Sequence, residues 1–177
     1  MQTICCEKCH ILNRPVKEAG FTLIELIVVI IILSILAATA LPRFANLQTQ
    51  ARIAKLNGAL GSMKGASALA HAACLASTPQ CTAAPSNLGT LNMEGVPVTM
   101  VLTYPTANAA GIITAAGINA GPSSPDGYDV QSGGTGPGST ITLMVLGNDP
   151  ATCSFTYQAP NAPNQSPTFS ILTTTGC

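Results

Sequence analysis

The sequence contains no tryptophan and is poor in the side chains that catalysis and metal binding commonly use. Charged residues make up 8% of the 177 positions, aromatic residues make up 4%, and there are two histidines. An average globular domain is about 25% charged. We recognise no Ser–His–Asp set, no phosphate-binding loop and no pair of neighbouring acids. The sequence therefore predicts neither an enzyme nor a bound cofactor or metal.

The distribution of Lys and Arg limits the partners of the chain. All seven Lys and Arg lie at or before Lys64. The charged residues in 65–177 are all acidic: Glu94, Asp126, Asp129 and Asp149. Binding to nucleic acid depends largely on Lys and Arg that neutralise phosphates. No nucleic acid is therefore expected to bind the C-terminal part of the chain.

The apolar residues are concentrated in one run near the N-terminus. Residues 21–41 (FTLIELIVVIIILSILAATAL) contain a single charged side chain, Glu25. As a helix this run is about 31 Å long, enough to cross the hydrocarbon core of a bilayer. The small residues at 36–40 also resemble the cleavage site of a secretory signal. Because the run is long for a signal peptide and continues into a helical pattern, we favour a membrane-spanning helix.

A second, amphipathic helical pattern follows Pro42. Apolar side chains recur there at a spacing of three or four, on one face of a helix: Ile53, Leu56, Leu60, Met63, Ala70 and Cys74. The pattern ends at Thr78 and Pro79, and together with the apolar run it predicts one helix of about 50 residues, kinked at Pro42. A chain of this length cannot bury such a helix, so half of it must lie in a membrane or among other subunits.

The remainder, from about residue 82, is rich in Gly, Pro, Asn, Ser and Thr. Short runs of β-branched and aromatic residues predict strands at 98–104, 140–146, 153–157 and 168–173. The short polar turns between them favour an antiparallel sheet, and the amphipathic helix is the available cover for its apolar face. The predicted fold class is α+β, with a long N-terminal helix packed on a small antiparallel sheet.

The start of the apolar run carries a specific motif. Residues 20–26 read GFTLIEL, and the apolar run that follows leads to Pro42. This segment resembles the processing and assembly segment of type IV pilins and pseudopilins. Three further stretches resemble pilins of the mannose-sensitive haemagglutinin (MSHA) type: PRFANLQTQAR at 42–52, YPTA…GI at 104–112 and CSFTY…TTTGC at the C-terminal end.

The resemblance implies how the chain is processed. A prepilin peptidase in the membrane would cut between Gly20 and Phe21, and the new amino terminus of Phe21 would be N-methylated. The implied organisation is a cleaved leader at 1–20, a hydrophobic helix at 21–50 that spans the membrane and later forms the filament core, and a globular head at 51–177.

The resemblance also implies the location and the partners of the chain. The precursor would cross the inner membrane once with its N-terminus in the cytoplasm, and the mature subunit would lie in an extracellular pilus used for attachment or motility. The implied partners are further copies of the chain in a helical filament, minor pilins and the inner-membrane assembly machinery.

Glu25 has the clearest physical argument for a role in assembly. Placing a charged side chain at the centre of an apolar span costs roughly 2.5–3.5 kcal/mol on insertion scales, and less near its end. In a filament, the amine of Phe21 from a neighbouring subunit can approach the carboxylate, and at about 4 Å and an effective dielectric constant of 20 this pair gains about 4 kcal/mol before desolvation. Because the gain depends on register, Glu25 is expected to set the axial stagger of the subunits.

Two alternatives stay open at Pro42. Its ring crowds the preceding turn and it has no N–H, which predicts at least a mild kink. Filaments of the family locally lose helix before the corresponding proline, which implies that residues 34–42 are extended in the assembled state.

Four cysteines lie beyond the predicted span, on the side where disulfides persist: Cys74, Cys81, Cys153 and Cys177. Four cysteines permit three pairings. The resemblance implies a Cys153–Cys177 bond, as in the C-terminal disulfide loop of the family, and the remaining pair is then expected to be Cys74–Cys81.

Two other functions are kept as alternatives. A pseudopilin of a type II secretion system would share the motif but would build a short periplasmic stub for protein export. A membrane-anchored redox protein is suggested by Cys6-Glu7-Lys8-Cys9-His10, which spells the c-type haem attachment pattern and with Cys5 also resembles a zinc site. This segment lies in the predicted leader on the cytoplasmic side, and translation from Val16 would omit it altogether.

Overall fold

The computed structural model describes residues 20–77, 81, 88–147 and 149–177. The predicted leader apart from Gly20, with its cysteine and histidine cluster and Val16, lies outside the described residues. The chain divides into two compact units, one that ends at Arg43 and one that spans Phe44–Cys177. We call the second the C-terminal unit.

One α-helix, α1, runs from Leu23 to Ala76 and confirms the predicted long helix. Pro42 lies inside it, so residues 34–42 are helical in the single chain. Directly after the helix, Ser77 donates its N–H and its hydroxyl to the carbonyl oxygen of Ala73, at 3.0 and 2.7 Å. These bonds satisfy one of the carbonyls that a helix end leaves unpaired. Unwinding before Pro42 in the assembled state stays a prediction.

Among the described residues the strands form two antiparallel sheets, where the sequence had predicted one. The first sheet has the order β1-β2-β3 and the second β4-β5-β6-β7, so each strand pairs with its neighbour in the chain. The bounds are β1 Leu88–Met93, β2 Val96–Val101, β3 Tyr104–Pro105, β4 Tyr128–Ser132, β5 Thr140–Val145, β6 Ser154–Gln158 and β7 Thr168–Phe169. The fold class α+β is confirmed.

The strand predicted at 98–104 is divided by a tight turn into β2 and β3. Leu102 and Thr103 have φ of +49° and +73°, a conformation that hairpin turns usually fill with Asn or Gly. His71 holds this turn, since its Nδ1 lies 3.2 Å from the carbonyl oxygen of Thr103 and its ring stacks on Tyr104 with centroids 4.1 Å apart. The turn has no local sequence signal because a contact from α1 stabilises it.

The predicted apolar face of the distal helix forms the core of the C-terminal unit. Leu56 and Met63 are completely buried, and they belong to the same cluster as Leu143, Phe155 and Tyr157 of the second sheet. Fully burying a side chain of this size contributes about 1.5–3 kcal/mol. The helix and the second sheet therefore stabilise each other, as the pattern of apolar residues predicted.

A second, smaller core cluster lies between the last turns of α1 and the first sheet. It is formed entirely by buried apolar side chains and thiols: Ala70, Cys74, Cys81, Leu91, Val98 and Met100. We call it the second cluster. The helix thus covers both sheets, with successive parts of one face.

Two basic residues of α1, Arg52 and Lys55, contact other residues of the C-terminal unit. Arg52 donates from Nη1 to the carbonyl oxygen of Cys177 at 3.0 Å, and Nζ of Lys55 lies 4.6 Å from the centroid of the Tyr128 ring, a cation–π contact. Gly147 makes room for Arg52, because a Cβ at this position would lie 2.5 Å from the guanidinium carbon. Its φ of +144° also disfavours any larger residue.

Two glycine-to-alanine variants are expected to shift stability in opposite directions. Gly147→Ala should lower the free energy of unfolding by about 1–3 kcal/mol, because it forces a strained backbone and displaces Arg52. Gly58→Ala should raise it by about 1 kcal/mol, since Gly58 lies in α1 with no atom within 4 Å of an added Cβ. Urea denaturation of the detergent-solubilised chain, followed by circular dichroism, measures both. A neutral Gly147→Ala would contradict the described packing of Arg52.

Candidate functional site

The residues of the GFTLIEL motif lie at the N-terminal end of α1. Gly20 and Phe21 precede the helix and are exposed, Phe21 by 84%. Thr22 is the N-cap, and its Oγ1 accepts a hydrogen bond from the backbone N–H of Glu25 at 3.3 Å. The hydroxyl of Thr22 in turn points to a carboxylate oxygen of Glu25 at 3.5 Å.

This arrangement is closely related to a capping box. In that motif a Ser or Thr at the N-cap and a Glu three residues later satisfy the backbone donors of the first helical turn. A carboxylate in the first turn is also favoured by the helix dipole. Thr22 was not among the predicted site residues, although the spacing T-x-x-E was a sufficient signal in the sequence. Glu25 thus has a structural role at the helix start besides its predicted role in assembly.

The peptide bond between Gly20 and Phe21 is accessible in the described structure. No atom lies within 4 Å of the position that a Cβ on Gly20 would occupy. The bond therefore lies in exposed chain just outside the helix, where a protease can reach it. The packing of the described residues therefore does not require glycine at this position.

The helix that follows is apolar on all its faces. Between Leu23 and Leu41 the large apolar side chains are exposed by 41% or more. Among the described residues, α1 is the one helix that is long and apolar enough to cross a membrane, and none of its most apolar window is buried within the chain. A helix that is apolar all round belongs in a membrane or in the interior of a larger body.

The C-terminal end of the chain is fixed by a covalent and a polar contact. Cys153 and Cys177 form a disulfide bond, the pair that the resemblance implies, and both are buried. Arg52 holds the carbonyl of Cys177, as described above. Cys74 and Cys81 are brought together in the second cluster but are unbonded thiols in the described structure. The expected second bond stays a prediction.

The acids of the turn at 126–129 are occupied by backbone contacts. Asp126 accepts from the N–H of Asn119 at 3.3 Å, and Asp129 accepts from the N–H of Val130 at 2.8 Å. No group of three His, Cys, Asp or Glu suited to a metal ion occurs among the described residues.

Comparison with known proteins identifies the segment at the helix start. A family model described as the prokaryotic N-terminal methylation motif matches residues 16–41. The chain carries this motif. The matched residues include Gly20, Phe21, the N-cap Thr22 and Glu25, so the described geometry is that of the motif itself.

Two curated relatives are type IV pilus or fimbrial proteins. The chain is 44% identical over 54 residues to the type IV narrow pilus major component PilA5 of Thermus thermophilus, which is 30% of this chain and 47% of that protein. It is 51% identical over 57 residues to the fimbrial protein EcpB of Eikenella corrodens, 31% of this chain and 36% of that protein. The chain thus matches less than half the length of either relative. No solved structure matches it.

Proposed function

We propose that the chain is a structural subunit of a type IV pilus, which polymerises through its hydrophobic N-terminal helix. The observation that carries this proposal is the methylation motif at the start of a helix whose most apolar window is wholly exposed. Such a surface is not stable in water, so it needs lipid before assembly and copies of itself afterwards. The similarity to two pilus and fimbrial proteins supports the same function.

The proposed precursor spans the inner membrane once, with the leader at 1–20 in the cytoplasm. A prepilin peptidase cuts after Gly20, which the exposure of this bond supports, and Phe21 is then N-methylated. The mature chain consists of the hydrophobic helix at 21–50 and the head at 51–177. The assembly machinery of the inner membrane extracts it into an extracellular filament that also contains minor pilins.

In the proposed filament, Glu25 pairs with the amine of Phe21 from a neighbouring subunit. Both residues are exposed in the single chain, so neither has to leave a packed position to make this contact. Because Phe21 precedes the helix and Glu25 lies in its first turn, the pair fixes the axial offset between two helices.

The proposed type of pilus is the MSHA type, used for attachment. Sequence similarity at 42–52, at 104–112 and around the Cys153–Cys177 bond supports this assignment. A pseudopilin of a type II secretion system is the alternative, and it differs in the length of the polymer.

Electron microscopy of surface fractions sheared from cells tests the proposal directly. The expected result is micrometre-long fibres whose subunit, identified by mass, begins at a methylated Phe21. Fibres that lack the chain, with the chain retained in the envelope, would favour the secretion alternative. Recovery of a soluble monomer without residues 21–41 would contradict both.

A further inference from the structure

The second cluster places two thiols side by side, one from the end of α1 and one from the segment that follows it. Cys74 lies in the last turn of α1 and Cys81 follows the helix, and both are completely buried. Their surroundings are apolar, formed by Ala70, Leu91 and Met100 among others. Burial first, and then the neighbouring Cys81 thiol, raise the pKa of Cys74 to about 12.

Cys81 is held against the first sheet by a very close backbone approach. A Cβ on Gly89, in β1, would clash with the carbonyl oxygen of Cys81. Only glycine permits this approach, so β1 fixes the position of Cys81 while α1 fixes that of Cys74. A covalent bond between the two sulfurs would therefore join the end of the helix to the edge of the first sheet.

We propose that Cys74 and Cys81 form a second disulfide in the mature protein, and that it forms before the second cluster closes. The bond arises by exchange with the disulfide of an oxidoreductase outside the cytoplasm. One thiolate attacks that disulfide, the second thiolate displaces the enzyme from the mixed disulfide, and the enzyme leaves as a dithiol carrying the two electrons. The two protons that the Cys74 and Cys81 thiols lose are balanced by the two that the enzyme takes up to become a dithiol.

The location of this exchange rests on the proposed function, since it requires the head to leave the cytoplasm. The Cys153–Cys177 bond gives an internal reference for the same compartment, because disulfides persist only where the surroundings are oxidising. Whether Cys153 and Cys177 are oxidised therefore shows whether the head has left the cytoplasm. This readout is independent of the oxidation state of Cys74 and Cys81.

The order of events follows from the burial of both thiols. The thiolate is the attacking species, and in the closed cluster Cys74 is almost entirely protonated. The chain reduced in denaturant and refolded under reducing conditions should react with oxidised glutathione at Cys74 and Cys81 at least about a hundredfold more slowly than the denatured chain at pH 8. Equal rates in the folded and denatured chain would overturn the proposed order.

Mass analysis of the full chain, extracted from membranes or sheared filaments, tests the bond itself. Lys64 is the last tryptic site, and Glu94 is the only Glu beyond it. Alkylation in denaturant, then trypsin and a glutamate-specific protease, gives a peptide 65–94 with Cys74 and Cys81, separate from Cys153, Cys177 and the leader cysteines. The Cys81→Ser variant is the matched control, and its peptide should carry one alkyl group on Cys74.

The expected result is a peptide 65–94 without alkyl groups that is lighter by two hydrogens than its reduced form. Two alkyl groups on this peptide, with Cys153–Cys177 oxidised in the same sample, would overturn the proposal while leaving the proposed function intact. A disulfide linking 65–94 to the C-terminal peptide would also overturn it. If both pairs carry alkyl groups, the second bond is excluded and export of the head is contradicted as well.

Discussion

Cells that carry Glu25→Gln in place of the native chain are expected to lose nearly all their filaments. The substitution removes the charge but keeps the size of the side chain, and Gln also fits the third helical position of a capping box. The proposed pair with the Phe21 amine gains up to about 4 kcal/mol, so its loss would weaken each contact by up to roughly a thousandfold. Quantitative immunoblots of sheared surface fractions measure filament yield, and the mass of the membrane-bound chain checks that Glu25→Gln is still processed and methylated.

The control for this experiment is Thr22→Val, which removes the N-cap and leaves the carboxylate in place. Losing the cap costs about 1 kcal/mol of helix stability, so the yield of filaments should fall only modestly. If Thr22→Val lowers the yield as strongly as Glu25→Gln, both residues act by stabilising the first turn of α1. The proposed charge pair between Glu25 and the Phe21 amine is then wrong. Normal filaments from Glu25→Gln would lead to the same conclusion.

Gly20→Val is expected to block processing almost completely. An added Cβ at this position meets no atom of the described residues within 4 Å, so the described fold has no reason to change. The proposed prepilin peptidase, in contrast, would have to bind the chain closely, and a residue without a Cβ allows the closest approach. Intact-mass analysis of membranes should show precursor that keeps its leader.

Gly20→Ala provides a graded comparison, with a smaller side chain and a smaller expected defect. The C-terminal unit supplies a second readout, because its Cys153–Cys177 bond should still form in the uncut precursor. Complete processing of Gly20→Val would place the cleavage at another peptide bond. Failure of the disulfide in this variant would show that the head needs cleavage in order to leave the cytoplasm.

Much of the fold could be predicted because two of its patterns have a simple physical cause. The buried face of α1, with Leu56, Met63 and Cys74, follows the helical period and packs on the sheets. The strands β5 and β6 are rich in β-branched and aromatic residues and were found within one residue of their true bounds.

The elements that were missed depend on tertiary contacts. β4 (YDVQS) and β1 (LGTLNM) contain residues that strands usually avoid, and they are strands because β5 and β2 pair with them. The turn at Leu102 was hidden for a similar reason, since it has no glycine and is held by His71. Local sequence does not report such contacts, so the division of the strands into two sheets was also missed.

The candidate site could also be predicted only in part from the sequence. Gly20, Phe21 and Glu25 could be named from the motif because their order along the chain is the signal. Thr22 was not predicted, although the T-x-x-E spacing of a capping box is visible in the sequence. The contact between Cys81 and Gly89 has no signature in the sequence at all.

The all-round exposure of the segment that follows Leu23 has a thermal consequence for any fibre built on it. Apart from the proposed pair of Glu25 and the Phe21 amine, cohesion between these helices comes from removing hydrocarbon from water. This force weakens on cooling and strengthens with sulfate or other excluded salts. Such fibres should hold together in brine and on mild warming, and should loosen in the cold and in urea.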